Sequence, residues 1–462
     1  MNRPHLHIAM CPWFALGHLT PYLHLANKLA RKGHKIAFFV PIKTQCKIEH
    51  YNRFPHLITF VPLTVPHIDG LPPGAETTSD VPHALIPLVA TAMDRTEHEC
   101  ELHLRDLKPD IVFYDFAYWI PKLARRLGCK TVYYTIISPV TLAYRAGRKV
   151  DEQETVISEQ AWLNPPHGFP DSSIKLHLHE TRFFVRSSNS QSQFGSDRMS
   201  LYQRLHISTT ECDAFAIKSC REIEGPFLEF IETQSGQPIL LAGPVIPEPP
   251  VISTGLEPKW INFLSQFKAG SVVYCAFGSE CILKKDQFQE LLLGFELSGL
   301  PFLAALKPPQ GAETIEEALP VGFVDRVGSR GVVQGGWIQQ RLILEHPSVG
   351  CFVTHCGSGS VTEALVSKCQ LVMIPYEGDQ IFQARLIGSV LKAGIEVERG
   401  EEDGFFTRES VCKGIKTVME EESEVGISIR ANRTELRELL LSKDLESSYI
   451  DDFIEKLQAL VG

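Results

Sequence analysis

The stretch from Trp337 to Gln380, WIQQRLILEHPSVGCFVTHCGSGSVTEALVSKCQLVMIPYEGDQ, decides the fold. Its short apolar run, Gly350 to Thr354, predicts a strand that leads into the turn His355-Cys356-Gly357-Ser358-Gly359-Ser360. A helix beginning near Val361 then points its N-terminal amides at a diphosphate-sized anion, and Leu371 to Ile374 predicts the next strand. Strand, helix and strand in that order make a βαβ unit, the building block of a parallel sheet. Trp337, ahead of the unit, can stack on a flat base or fill a core. Asp379 and Gln380, at its end, can hydrogen-bond hydroxyls.

The same rhythm runs along the chain. Leu6 to Met10 and Ile36 to Val40 read as strands around a helix with Leu19, Leu23, Ala26 and Ala30 on one face. Further strands are predicted at Asp110 to Tyr114, Thr131 to Tyr134, Ser271 to Phe277 and Phe302 to Leu306. The expected class is α/β, with two Rossmann-like doubly wound domains facing each other across a cleft, where ligands bind beyond the carboxyl ends of the strands. The proline-rich Gly243-Pro244-Val245-Ile246-Pro247-Glu248-Pro249-Pro250 reads as a stiff connection. The expected division is residues 1–242, a linker at 243–254, a second domain at 255–442 and a terminal helix at 443–462. That helix carries Tyr449, Phe453, Leu457 and Leu460 at helical spacing and is expected to dock back toward the first domain. The serine-rich stretch 186–200, RSSNSQSQFGSDRMS, reads as a mobile surface loop, with an acceptor-side lid as its functional alternative.

At 462 residues the chain exceeds one ordinary core, and 44% apolar with 22% charged residues is a globular profile. A formal charge of -10 argues against nucleic acid or an anionic membrane surface as the main partner, since both call for a basic face. The N-terminal MNRPHLHIAMCPW lacks an apolar segment with a small-residue cleavage site, and no run of about 18 apolar residues occurs, so a cytoplasmic protein without membrane insertion is expected. Twelve cysteines are present with no Cys-x-x-Cys pair, which predicts reduced thiols and no structural zinc.

Gly17-His18-Leu19-Thr20-Pro21 follows the first strand, and Asp115 ends another strand of the same half. Each residue alone has a plain reading as a helix cap. Together, on neighbouring strands, they allow Asp115 to accept from one ring nitrogen of His18 while the other faces the cleft as a base. In the second half, Phe277-Gly278-Ser279-Glu280 ends a strand and offers amides and the Ser279 hydroxyl to phosphate. The Gly357-Ser358-Gly359 turn also suits a dinucleotide, with Thr362 at the third glycine position and Glu377 placed to hold a ribose, so an NAD-dependent oxidoreductase is a competing reading. That reading leaves Trp337 unexplained. His346 reads as a structural histidine.

At these residues the chain resembles the plant family-1 glycosyltransferases that use UDP-sugars, whose hallmark is a plant secondary product glycosyltransferase box of the same length as Trp337 to Gln380. The likeness extends to GHLTP near the start, FYDFA around Asp115, CAFGSE around Ser279 and the linker. It implies the GT-B fold, with Trp337 stacking on uracil beside Ile338, and Gln340 and Glu363 holding the ribose. His355 and Ser360 would bind the diphosphate with Gly357, Gly359 and Ser279 close by, while Asp379 and Gln380 take the sugar hydroxyls. His18 matches the family's base and Asp115 its orienting acid, and Thr135 lies near a position that reaches the donor. The family's usual Trp-Asn is Ser358-Gly359 here, and its usual Gly-Val-Pro is Lys368-Cys369-Gln370. With DGLPPGAETTSDVP at 69–82, these departures resemble the branch-forming subgroup that adds a sugar to a flavonoid or anthocyanin 3-O-glycoside.

The resulting expectation is an inverting, metal-independent transferase with a UDP-sugar co-substrate, no other cofactor, a flavonoid glycoside acceptor of the 2''-O type, and a monomeric state. The chain contains no Asp-x-Asp, the usual carboxylate pair for a metal-bound diphosphate. UDP-glucose, UDP-xylose and UDP-rhamnose all suit Asp379 and Gln380, with Gln380 favouring glucose by resemblance. Transfer to an aglycone hydroxyl, a sugar-nucleotide isomerase and a non-catalytic glycoside binder are the other readings.

Overall fold

The structure is a computed structural model that describes residues 5–146, 148, 157–189, 193–197, 199–248 and 255–462. Seven strands form one sheet: β1 (His7–Cys11), β2 (Lys35–Pro41), β3 (Ile58–Leu63), β4 (Ile111–Tyr114), β5 (Lys130–Thr135), β6 (Ala214–Ile217) and β7 (Ile239–Leu241). Their order is β3-β2-β1-β4-β5-β6-β7. Six more form a second sheet: β8 (Val272–Ala276), β9 (Phe302–Ala305), β10 (Gly331–Gln334), β11 (Val349–Thr354), β12 (Gln370–Met373) and β13 (Ile395–Glu396), ordered β10-β9-β8-β11-β12-β13. All pairings are parallel. In each sheet the order reverses beside the first strand, at β1/β4 and at β8/β11, and the connections leaving those strands diverge to open a crevice.

Helices cover both faces of a parallel sheet, so its central strands are apolar on both sides. β4 (IVFY) and β8 (VVYCA) are buried throughout. β3, β6, β7, β10 and β13 were not among the expected strands. β3 is an edge strand with exposed Thr59 and Pro62, β6 has four residues, β7 and β13 have three and two, and β10 is half-buried along its length, so none shows a long, fully buried apolar run.

Five helices position the site: α1 (Leu16–Arg31), α2 (Leu178–Ser188), α3 (Ser358–Val366), α4 (Asp379–Arg385) and α5 (Lys443–Val461). Leu19, Leu23, Ala26 and Ala30 of α1 are all buried against the first sheet, each leucine contributing roughly 1.5–3 kcal/mol. α3 starts at Ser358 rather than near Val361, because extended Gly357 is its N-cap and the following Ser-Gly-Ser already takes helical geometry. α5 inserts Ile450, Phe453, Ile454 and Leu457 into the first sheet's core, with Phe453 6.1 Å from Phe113. The connection begins at Gly243, which adopts φ +76° with a Cβ position 2.8 Å from Tyr449, so only glycine fits. Its Ile246 amide donates to Glu446 at 2.6 Å, and Lys28 bridges Glu446 and Glu248. Residues 249–254 of the expected linker lie outside the described residues.

The described residues of the stretch 186–200 are tied to the fold rather than loose on its surface. Arg186–Ser188 complete α2, and Ser200 is a buried N-cap whose hydroxyl accepts from the Gln203 amide. Asp94 accepts from the Ser196 amide and pairs with Arg204 at 2.6 Å, both side chains being buried. The serines suggested solvent, but Ser187 and Ser188 donate to helix carbonyls, Ser196 donates to Asp94 and Ser200 caps a helix. Positions 190–192 and 198 lie outside the described residues. All twelve cysteines carry free thiols, ten of them buried. Among the described residues no helix is long and apolar enough to cross a membrane.

Candidate active site

The two topological reversals bring four connections together. β1 leads into α1 and His18, β4 is followed directly by Asp115, β8 runs into the Gly278-Ser279-Glu280 turn, and β11 delivers His355 and α3. Asp115 is fixed before it does any chemistry: its Oδ1 accepts from the Trp13 and Phe116 amides, each at 2.7 Å, and its Oδ2 lies 2.6 Å from His18 Nδ1. The carboxylate is 2% exposed and the imidazole 17%, so the ring alone reaches the cleft. Burial acts to lower the His18 pKa, but the charge and hydrogen bond of Asp115, helped by Asp379 and Glu280, outweigh it and raise it above the ordinary value.

An aromatic wall stands beside this pair. Phe116 meets His18 edge-on at 5.4 Å and stacks on Trp13 at 5.1 Å, and Phe194 packs on both. Sequence reasoning missed all three as site residues, although Trp13 and Phe116 each lie two residues past a strand end. It also missed the links across the cleft: Thr78 donates to Glu280 at 2.5 Å, and His83 pairs with Glu377 at 2.7 Å. Glu377, the ribose candidate of the oxidoreductase reading, is thus committed to a histidine. A cavity of ≈ 440 Å³ opens next to it, lined in part by Arg182, Phe183, Arg186 and Tyr376.

On the opposite side, Gln340 Nε2 donates to Glu363 at 2.7 Å and lies 3.2 Å from Ser360 Oγ, so these three residues form one cluster. Desolvation raises the Glu363 pKa against the influence of Gln340. Burial pushes His355 down to about 4, so it is neutral at pH 7 and offers hydrogen bonding rather than charge. Its ring is gripped between glycines: a Cβ at Gly278, which has φ +68°, would lie 2.9 Å from the imidazole, and one at Gly357 would lie 2.6 Å from Nε2. Gly359, by contrast, faces open space. Trp337 is 73% exposed, so it does not fill a core.

Asp379 opens α4 behind Gly378. Desolvation raises its pKa, with His18 acting in the opposite direction, which puts the two groups within electrostatic reach. The Gln380 Oε1 accepts from the Tyr376 and Glu377 amides, and among the described residues its NH2 has no partner, so it can donate to a ligand. Two expected donor residues have buried side chains. The Ile338 side chain is 4% exposed within the second sheet's core, so only its main chain can face a nucleotide. Thr135 is buried, and its hydroxyl accepts from the Ile137 amide in the turn after β5. One group of potential metal ligands occurs among the described residues, His177, His179 and Glu180, but two guanidinium groups already occupy the Glu180 oxygens and their charge disfavours a cation.

Two parallel, doubly wound sheets with the chemistry at both reversals define a GT-B protein, and solved structures agree. The fold matches that of Arabidopsis thaliana UGT89C1 complexed with UDP-L-rhamnose, with a TM-score of 0.77 at 22% identity over 99% of this chain and 100% of that one. It also matches Glycyrrhiza uralensis UGT73P12 complexed with glycyrrhetinic acid 3-O-monoglucuronide, with a TM-score of 0.79 at 21% identity over 99% and 96%. Residues 327–426 match the family described as UDP-glucoronosyl and UDP-glucosyl transferase. The chain is 58% identical over the full length of both proteins to a cyanidin 3-O-galactoside 2''-O-xylosyltransferase of Actinidia chinensis var. chinensis. It is 52% identical to an anthocyanidin 3-O-glucoside 2''-O-glucosyltransferase of Ipomoea nil, over 99% of this chain and 98% of that protein. The chain belongs to the plant UDP-glycosyltransferases.

Proposed function

We propose that this enzyme transfers a sugar from a UDP-sugar, with inversion, to the 2''-hydroxyl of the sugar on an anthocyanin or flavonoid 3-O-glycoside. The observation that carries the mechanism is the His18–Asp115 contact facing Asp379 across the cleft. With Nδ1–H donated to Asp115, Nε2 is free to take the proton of the acceptor hydroxyl. The acceptor oxygen then forms its bond to the anomeric carbon as the bond from that carbon to the UDP oxygen breaks, and UDP leaves with the electron pair. Asp115 stabilises the imidazolium. Ser279, His355, Ser360 and the amides of Gly357 and Gly359 take up the diphosphate, Gln340 and Glu363 the ribose, Trp337 the uracil, and Asp379 with Gln380 the donor sugar. Helix amides and neutral donors supply the electrostatic stabilisation of the leaving group, so the scheme calls for no metal and no cofactor beyond the UDP-sugar.

A sugar as acceptor is supported by full-length identity to two 2''-O-glycosyltransferases and by the polar rim of His18, where Glu280, Thr78 and Asp379 suit a hydroxyl-rich group. The aromatic wall of Trp13, Phe116 and Phe194 suits the flat aglycone. We take the enzyme to act in the cytoplasm as a monomer. The test is UDP release with UDP-glucose, UDP-xylose and UDP-rhamnose, each with a flavonoid 3-O-glycoside, with its aglycone, and with no acceptor. Glycoside-dependent release and a disaccharide product are expected; equal release with the aglycone would move the acceptor assignment, and UDP-sugar consumption without UDP would indicate an isomerase.

A further inference from the structure

Contacts at Phe382 and Arg385 of α4, the helix that opens with Asp379, and at its N-cap Gly378 come from α2 of the other half of the molecule. A Cβ at Gly378 would lie 3.4 Å from the Phe183 ring, Phe382 meets Phe184 at 5.4 Å, and Arg385 Nη2 donates to both Glu180 oxygens at 3.0 Å. Positions 378, 382 and 385 follow i, i+4, i+7 spacing, so α2 runs along the whole short helix. Tyr144 adds a further ring 4.6 Å from Phe382.

Glu180 holds both ends of this segment. It accepts from Arg399 at 2.6 Å, and Arg399 in turn donates to the Pro375 carbonyl in the loop just before α4. Glu396 closes the ring by pairing with Arg385 and Arg399. The Glu180 carboxylate is 1% exposed and Arg399 5%, so these are buried charges whose balance depends on every member. The ring lies at the far end of α4 from Asp379, about 9 Å along a rigid helix at 1.5 Å per residue. None of the elements carrying Trp337, Gln340, His355, Ser360 or Glu363 takes part in it.

We infer that Glu180 is a positioning residue for sugar transfer: through Arg385 and Arg399 it sets where Asp379 and Gln380 hold the donor sugar relative to His18, which the same half of the chain carries. Inversion needs the anomeric carbon in line with the acceptor oxygen, and a misplacement of about 1 Å can cost on the order of a hundredfold in rate. The inference rests on the transfer reaction proposed above.

The test uses Glu180→Gln and Phe184→Leu in the full chain, with the wild type establishing acceptor-dependent UDP release. If the wild type shows none, the functional reading fails, and the positioning role fails with it. Given wild-type transfer, each variant is expected to lower kcat roughly ten- to a hundredfold, to leave UDP affinity within about twofold, and to raise the ratio of UDP-sugar hydrolysis to transfer as the acceptor oxygen loses its alignment. Phe184→Leu loses one ring contact and no charge, so it carries the test if Glu180→Gln does not fold. Unchanged kcat in folded variants, or UDP affinity falling in parallel with kcat, overturns the positioning role.

Discussion

His18 Nδ1 and Asp115 Oδ2 stand 2.6 Å apart, and Asp115 is held for that contact by two main-chain amides. The raised His18 pKa has a definite sign for catalysis. The base must be neutral, so kcat/KM is expected to fall as pH drops through a value above the ordinary 6.5 of histidine. Asp115→Asn removes the largest raising influence and leaves burial, which lowers; the acid limb is therefore expected to move to lower pH while the plateau rate falls. The pH profiles of the two enzymes check this, and an unmoved limb would assign it to another group. Stability runs the opposite way: with the folded value above the unfolded one, the pair's stabilisation is present in acid and is lost as pH rises through the folded pKa.

His18→Ala separates binding from chemistry. None of the groups assigned to uracil, ribose or diphosphate touches His18, so UDP affinity is expected to persist while transfer falls by roughly a hundredfold or more. Calorimetry with UDP and a UDP-release assay on the same preparation read both quantities. Retained turnover would remove His18 from the role of base.

The distance between these predictions and the sequence is uneven, for physical reasons. Central strands such as β4 and β8 were legible because burial on both faces leaves an uninterrupted apolar run, whereas edge strands β3 and β10 are partly exposed and lose that signature. His18 and Asp115 were legible as a pair because Asp115 directly follows β4, His18 stands in the first turn of the helix after β1, and β1 and β4 are neighbours. Phe194 and Glu180 were not. Their meaning depends on partners about eighty to over two hundred residues away, Phe116 and Arg385, and no local pattern encodes such a contact. The serines of 186–200 illustrate the same limit, since a serine that caps a buried helix reads like one in solvent.

Trp337 is exposed, which sharpens its role. Truncating a packed indole would destabilise the fold, but Trp337→Ala is expected to leave the thermal midpoint nearly unchanged. Its cost should fall on the nucleotide, where loss of a base-stacking ring is worth roughly 1–3 kcal/mol. UDP titration of the variant reads this directly. Unchanged affinity would mean that the ring does not meet the uracil.

Gly278 links backbone geometry to donor binding. Its φ of +68° disfavours any side chain, and a Cβ would press on the His355 imidazole from 2.9 Å. Gly278→Ala is expected to cost about 1–3 kcal/mol of stability through backbone strain and, by displacing His355, to weaken UDP binding. His355→Ala should weaken UDP binding without the stability cost of the strained turn. Comparing the two variants by denaturant unfolding and UDP titration distinguishes strain from the loss of a ligand contact.

Asp94 and Arg204 tie the aromatic wall to the scaffold. Arg204 donates to the Phe194 carbonyl at 3.2 Å and to the Phe116 carbonyl at 3.3 Å, while Asp94 receives the Ser196 amide at 2.9 Å. Asp94→Asn removes the charge that balances a guanidinium with 1% exposure, and breaking a buried pair in this way costs about 3–5 kcal/mol. Urea unfolding should show a loss of that size. Phe116 meets His18 and Phe194 packs on Phe116, on the His18 side rather than against the donor residues, so the folded variant is expected to show a raised KM for the glycoside acceptor and little change in affinity for UDP. A parallel loss of both would mean that the pair supports the molecule as a whole and not the acceptor side in particular.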